Sequence, residues 1–260
     1  MNVFKNFLLI LAVLFSCVYA EARNQFAIDS LNCQIFLPES NVATGRAVII
    51  CPGGSYKTHA INHEGVDWAK FFNDYGVAVA VVRYDLPYGD RSRPIKNINN
   101  VIAVLRNNAA DWKINPDDIG IMGSSAGGHL ASTIATHPEK DNILSFQILF
   151  YPVISMQAPL THGPSHDNFL GINPGLPIEE MFSNHKQVTS STPRAIIFFS
   201  SDDDGVPVDN GIEYYNALRR NGVEASIHIY PEGGHGWGFR SDFPYHKEML
   251  DELKRFINNY

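Results

Sequence analysis

Cysteine is scarce in this chain: three in 260 residues, at positions 17, 33 and 51. That is too few for a disulfide framework. Charge is scarce as well, since only 18% of the residues are Asp, Glu, Lys or Arg. Twenty basic side chains face 27 acidic ones, for a net charge of −7. No basic stripe offsets that balance, which argues against a nucleic-acid partner. Beyond the N-terminal segment no apolar stretch reaches about 18 residues, so no membrane span is expected in the mature chain. Internal repeats, low-complexity tracts and flexible linkers are missing too. Core material is abundant: 45% of the residues are hydrophobic and 12% aromatic. That composition fits one folded domain and excludes disorder.

Residues 1–20 read as a signal peptide. Lys5 precedes an apolar run from Phe7 to Phe15, and Val18-Tyr19-Ala20 supplies a small-residue exit. An exported protein is therefore expected, periplasmic or secreted, with residues 21–260 forming the catalytic domain. A retained N-terminal anchor is the alternative. A lipoprotein anchored at Cys17 is a third reading, but bulky Phe15 suits a lipobox poorly. Cys33 and Cys51 lie in apolar, strand-like runs and are expected as buried thiols.

The remainder alternates strands with helices. Residues 26–37 suggest one edge strand. All-apolar runs at 47–51, 77–82, 119–122, 146–151 and 195–200 carry the mark of strands buried on both faces, and 225–230 makes a last strand. Helical spacing recurs at 63–75, 93–113, 127–136, 209–220 and 245–258. Strands separated by single helices imply parallel pairing with right-handed crossovers. The expected fold is α/β, with a mostly parallel central sheet and helices on both faces. Residues 155–192 show little periodicity. They stand where a short cap could cover the strand ends at which open α/β sheets bind ligands.

Three turns carry the chemistry. Gly123-Ser124-Ser125-Ala126-Gly127 matches G-x-S-x-G between an apolar strand and a helix, the context that makes Ser125 a candidate nucleophile. Dinucleotide binding would need glycine where Ser125 stands, and no Gly-Lys-Ser/Thr follows for a phosphate loop. A serine needs a base. His235, in Gly233-Gly234-His235-Gly236 after the last strand, has both the chain order and the location. The acid should follow the preceding strand, where Asp202-Asp203-Asp204 stands, and spacing alone does not choose among the three. Pro52-Gly53-Gly54-Ser55-Tyr56 ends a buried strand. Amides of Gly54 and Ser55, with that of Ala126, could form an oxyanion hole. Tyr56 and Trp237 are candidates to pack against a sugar ring, with core packing the competing reading. His59/His63 and His162/His166 have metal-compatible i,i+4 spacing, but neither pair lies in a convincing helix, so no metal or cofactor is expected.

From about Val48 to Gly238 the chain resembles the α/β-hydrolases, and within them the bacterial acetyl xylan esterases. The resemblance rests on Cys51-Pro52-Gly53-Gly54, His63-Glu64-Gly65, the stretch from Gly123 to Ser132 and Tyr151-Pro152-Val153-Ile154-Ser155-Met156. His162-Gly163, Gln187-Val188-Thr189, Val206-Pro207 and the segment from Ile229 to Gly238 complete it. In that family the catalytic acid stands four residues before the proline of the Val-Pro pair, which selects Asp203. The family implies a cofactor-free serine esterase that removes acetyl groups from xylan or xylo-oligosaccharides. Ser55 departs from the glycine often found there, and His185 from an acidic residue common in the cap. Other readings are a serine exopeptidase, which usually adds a gating domain for which no room is expected, another small-ester hydrolase on the same fold, and a non-catalytic binding module. Such a module typically lacks one of the three catalytic side chains.

Overall fold

The structure is a computed structural model that describes residues 24–140 and 142–258. The signal-peptide reading of residues 1–20, Cys17 included, lies outside the described residues. The first apolar stretch is two strands rather than the single edge strand expected: Gln25–Ile28 (β1) and Cys33–Phe36 (β2), paired antiparallel. Asp29–Leu31 form a 3-10 turn and Asn32 takes a left-handed conformation at φ 49°. Asparagine tolerates that conformation better than most side chains, so the chain doubles back here.

Ala47–Cys51 (β3), Ala78–Val82 (β4), Ile119–Ser124 (β5) and Phe146–Phe150 (β6) are buried along their whole length. Arg194–Ser200 (β7) is buried after its first residue, and Ala225–Tyr230 (β8) is a half-buried edge. The eight strands form one sheet in the order β1-β2-β4-β3-β5-β6-β7-β8. From β4 to β8 every pairing is parallel; β2 runs antiparallel to both β1 and β4. Apolar strands can tolerate this position because each fully buried Val, Ile or Leu contributes about 1.5–3 kcal/mol. Cys33 and Cys51 are free and buried in these strands, and burial pushes both thiols above their ordinary range.

The helices are Trp68–Asp74 (α1), Ser92–Asn107 (α2), Ser125–Thr136 (α3), Gly163–Leu170 (α4), Leu176–Met181 (α5), Asp209–Arg220 (α6) and His246–Asn258 (α7). A π-helical turn, Asn62–Val66, precedes α1. Helix α2 buries Ile98, Val101, Ile102 and Leu105 as one stripe. It stops six residues before its expected end because the Asn108 side chain caps the Val104 carbonyl (2.8 Å) and Lys113 turns to φ 54°.

The aperiodic segment 155–192 contains α4, α5 and a 3-10 turn, Asn184–Lys186. Pro164 and Pro177 occupy the first turns of α4 and α5, where a missing N–H costs nothing. Two buried asparagines hold this cap. Asn184 donates to the His129 carbonyl (3.1 Å) and the Ser132 hydroxyl (2.7 Å). Asn210 accepts the amides of Ile154 and Ser155, both at 3.0 Å, and donates to the Leu160 carbonyl (2.9 Å). Among the described residues no helix is long and apolar enough to cross a membrane.

Candidate active site

Ser125 sits where β5 turns into α3. Its φ of 53° is a conformation that L side chains rarely adopt, so the turn is strained at this residue. The flanking glycines are required by contact. A Cβ on Gly123 would lie 2.2 Å from the Gly127 carbonyl oxygen, and one on Gly127 would lie 2.0 Å from that of Cys51. The turn is thus pressed onto the end of β3, and this brings the Pro52-Gly53 segment against Ser125. A Cβ on Gly53 would meet the Ser125 Cβ at 2.9 Å.

The histidine arrives from the loop after β8. Its Nε2 lies 2.8 Å from Ser125 Oγ and its Nδ1 2.7 Å from Asp203 Oδ2. Asp203 Oδ1 accepts the amides of Gly205 (2.9 Å) and Val206 (2.8 Å), so both carboxyl oxygens are occupied. The Asp203 side chain is fully buried, whereas that of His235 keeps 30% exposure. A carboxylate accepting from Nδ1–H leaves Nε2 as the acceptor for the serine hydroxyl. The neighbouring acids point elsewhere. Asp202 accepts the amides of Gly234 (2.8 Å) and Gly233 (3.2 Å), which shape the histidine loop and hold its carboxyl below the usual range. Asp204 is exposed. The member of the acidic triplet that meets His235 is therefore the one four residues before Pro207.

Gly54, Ser55 and Tyr56 all have positive φ, at 131°, 56° and 57°. This tight turn is fixed at both sides. Glu64 Oε2 accepts the Gly53 amide (2.7 Å), and the Ser55 carbonyl accepts the Asn168 side-chain amide from α4 (2.8 Å). The Ala126 amide belongs to the first turn of α3, where N–H groups lack an intrahelical acceptor.

Tyr56 and Trp237 are not sugar platforms. They are 1% and 3% exposed. The Tyr56 hydroxyl bonds His129 Nδ1 (2.8 Å) and its ring stacks on Phe169. Trp237 donates to Ser200 Oγ (3.0 Å) and lies flat against Phe243, with centroids 4.0 Å apart. Each finds in the core both a ring partner and a polar partner, so core packing takes the whole side chain.

Three of the four paired histidines are also engaged. His59 packs edge-on against Tyr84, His162 bonds Ser165 Oγ, and His166 bonds Asp167 and Glu179. Among the described residues no group of three or more His, Cys, Asp or Glu is placed to hold a metal ion. Burial and the nearby His235 push His162 below its ordinary range, against a smaller opposing pull from Asp203.

Sequence reasoning on roles missed Glu64 and Tyr151. Both are buried and bonded to each other at 2.8 Å, and the Tyr151 ring meets His235 edge-on with centroids 4.7 Å apart. Burial and the Glu64 charge raise the Tyr151 phenol well above its ordinary range, so it remains an O–H donor. The available signal was the His63-Glu64-Gly65 motif, an acid directly beside a glycine.

The BD-FAE family model matches residues 33–158. The chain is 43% identical over 229 residues to an acetylxylan esterase of Xylanibacter ruminicola, covering 86% of this chain and 47% of that protein. It is 31% identical over 210 residues to endo-1,4-beta-xylanase B of Butyrivibrio fibrisolvens, 75% of this chain and 33% of that one. The chain thus spans about half or less of the length of these curated relatives. Among solved structures, an acetyl ester-xyloside bifunctional hydrolase from Caldicellulosiruptor lactoaceticus superposes with a TM-score of 0.81 at 30% identity, covering 87% of this chain and 88% of that one. That similarity runs through most of both chains. The chain therefore belongs to the α/β-hydrolase superfamily, in the family that includes this bacterial hydrolase.

Proposed function

We propose that the protein is a serine carboxylesterase that removes acetyl groups from xylan or xylo-oligosaccharides. The observation that carries the chemistry is the pair of contacts on either side of His235, 2.8 Å to Ser125 Oγ and 2.7 Å to Asp203 Oδ2. The substrate class rests on the names of the relatives.

In this reading His235 Nε2 takes the Ser125 proton while Oγ bonds to the acetyl carbonyl carbon. Asp203 holds the ring orientation and stabilises the imidazolium. The carbonyl oxygen becomes an oxyanion, supported by the amides of Gly54, Ser55 and Ala126; each such donor is typically worth ~3 kcal/mol. The carbon–oxygen bond to the sugar then breaks, and the sugar oxygen leaves with the proton from Nε2. Water, deprotonated by the same nitrogen, attacks the acetyl-serine and releases acetate. Export directed by residues 1–20 suits a substrate too large to enter the cell.

The test is acetate release from acetylated xylan and from a small aryl acetate, comparing wild type with Ser125→Ala. Release from both, lost in the variant while its thermal unfolding is unchanged, is the expected result. Activity on the aryl acetate alone would keep the serine chemistry and overturn the substrate. Cleavage of aminoacyl anilides in place of acetates would favour the exopeptidase, and near-wild-type turnover by Ser125→Ala would sink the mechanism.

A further inference from the structure

Beneath the reacting side chains lies a buried carboxyl that the mechanism above does not use. Glu64, in the π-helical turn before α1, is 3% exposed. Among the described residues it forms no salt bridge, so its desolvation is offset by hydrogen bonds alone. Oε2 accepts the Gly53 amide at 2.7 Å and Oε1 accepts the Tyr151 hydroxyl at 2.8 Å. The Tyr151 oxygen in turn accepts the Gly238 amide at 2.8 Å. One residue away on each side, the Phe239 amide donates to the His63 carbonyl at 2.7 Å.

These bonds join two loops that are far apart in sequence. Gly53 adjoins the candidate oxyanion donors Gly54 and Ser55. Gly238 closes the loop that carries His235, whose ring rests on the edge of Tyr151. We infer that Glu64 is a positioning residue: through Gly53 and through Tyr151 it holds the oxyanion turn and the histidine loop in register, so that donors and base meet the same carbonyl. The inference rests on the esterase reading.

Glu64 acts through placement. Oxyanion donors act only when aimed at the developing charge, and a misplacement of about 1 Å can cost about 100-fold in rate. A carboxylate offers one acceptor oxygen to each donor. Glutamine can keep its oxygen on the Gly53 amide and donate its amide to the Tyr151 oxygen. It should therefore recover part of the function that alanine loses, whereas Tyr151→Phe keeps the ring against His235 and removes only the link.

The experiment measures kcat and KM on an aryl acetate for wild type, Glu64→Gln, Glu64→Ala and Tyr151→Phe. The rate at which a fluorophosphonate labels Ser125 and the thermal unfolding of each variant are recorded alongside. Glu64→Ala is expected to lower kcat by about 100-fold, to slow labelling similarly and to leave KM within about threefold. Glu64→Gln should lose no more than about tenfold, and Tyr151→Phe should fall between the two. A folded Glu64→Ala with wild-type kcat, or one in which only KM changes, would overturn the proposal. If alanine at this site prevents folding, a folded Tyr151→Phe with wild-type kcat and labelling rate overturns it instead. A wild-type enzyme that leaves the aryl acetate intact would overturn the esterase reading, and the proposal with it.

Discussion

One turn beyond Ser125 on α3, His129 is fully buried and bonded on both sides. Its Nδ1 lies 2.8 Å from the Tyr56 hydroxyl and its Nε2 2.8 Å from the Phe182 carbonyl. It therefore joins α3, the turn after β3 and the cap. Burial, only partly offset by the Phe182 carbonyl, pushes its pKa down from 6.5 to about 3. The folded protein thus holds His129 neutral at pH values where the unfolded chain binds a proton there. The stability this provides is intact above pH 6.5 and is lost as pH falls from 6.5 towards 3, at up to roughly 1.4 kcal/mol per pH unit. Between pH 8 and pH 4.5 this residue alone should remove roughly 2–3 kcal/mol. His59, His137, His162, His185 and His228 are also pushed down by burial and steepen the overall acid loss, so the variant must isolate His129. The perturbation is His129→Gln, and the assay is urea unfolding at pH 8 and pH 4.5. At pH 8 the variant should be less stable by about 1–3 kcal/mol, because glutamine cannot reproduce both hydrogen bonds. That deficit should shrink by roughly 2–3 kcal/mol at pH 4.5, since glutamine has no proton to bind. An equal deficit at both pH values would refute the claim that burial holds this imidazole neutral.

Two further substitutions test the site. Asp203→Asn should lower kcat by about 10³–10⁴-fold, because the amide oxygen stays on the Gly205 and Val206 amides and the NH2 donor then faces Nδ1, which imposes the wrong imidazole tautomer. Asp202→Asn, which alters only the support of Gly233 and Gly234, should retain most activity; equal losses in ester hydrolysis assays would undo the assignment of Asp203. Gly127→Ala should lower Tm by about 10 °C and abolish turnover, since its Cβ would lie 2.0 Å from a backbone oxygen of β3. A variant with wild-type melting and wild-type kcat would mean that the serine turn is not pressed on β3 as described.

The parallel core was legible because burial on both faces leaves a sequence mark. Ala47–Cys51, buried throughout, begins and ends at the expected residues; the half-buried edge strand Ala225–Tyr230 and α6 do so as well. The misreadings have separate causes. The edge strand at 26–37 was split by Asp29-Ser30-Leu31-Asn32, a turn whose signal is polar side chains rather than glycine or proline. The cap was unreadable because its helices are eight and six residues long. Helices that short show barely two turns of periodicity, and their prolines resemble loop punctuation although they sit at helix starts. The meeting of Ser125, His235 and Asp203, the proposed catalytic side chains, was legible because each follows a strand, and strand ends converge on one edge of a parallel sheet.

Tyr56, Trp237 and Glu64 expose the limit of that reasoning from one direction each. An aromatic residue beside a reactive turn can face either the ligand or the core. The decision belongs to partners distant in sequence: His129 and Phe169 for Tyr56, Ser200 and Phe243 for Trp237. Glu64 is the converse case, a charged residue whose composition points outward and whose partners draw it inside. Its donors come from positions 53 and 151, so no local window contains them. The same holds for Asn184 and Asn210, which fasten the cap through acceptors and donors on other elements. Apolar residues enter the core by composition, whereas a buried polar side chain enters only if specific groups await it. Those awaiting groups define the relative positions of the loops. In this molecule the side chains proposed to react stand at strand ends, where pattern finds them, and those proposed to aim them are buried polar ones, where only tertiary contact does.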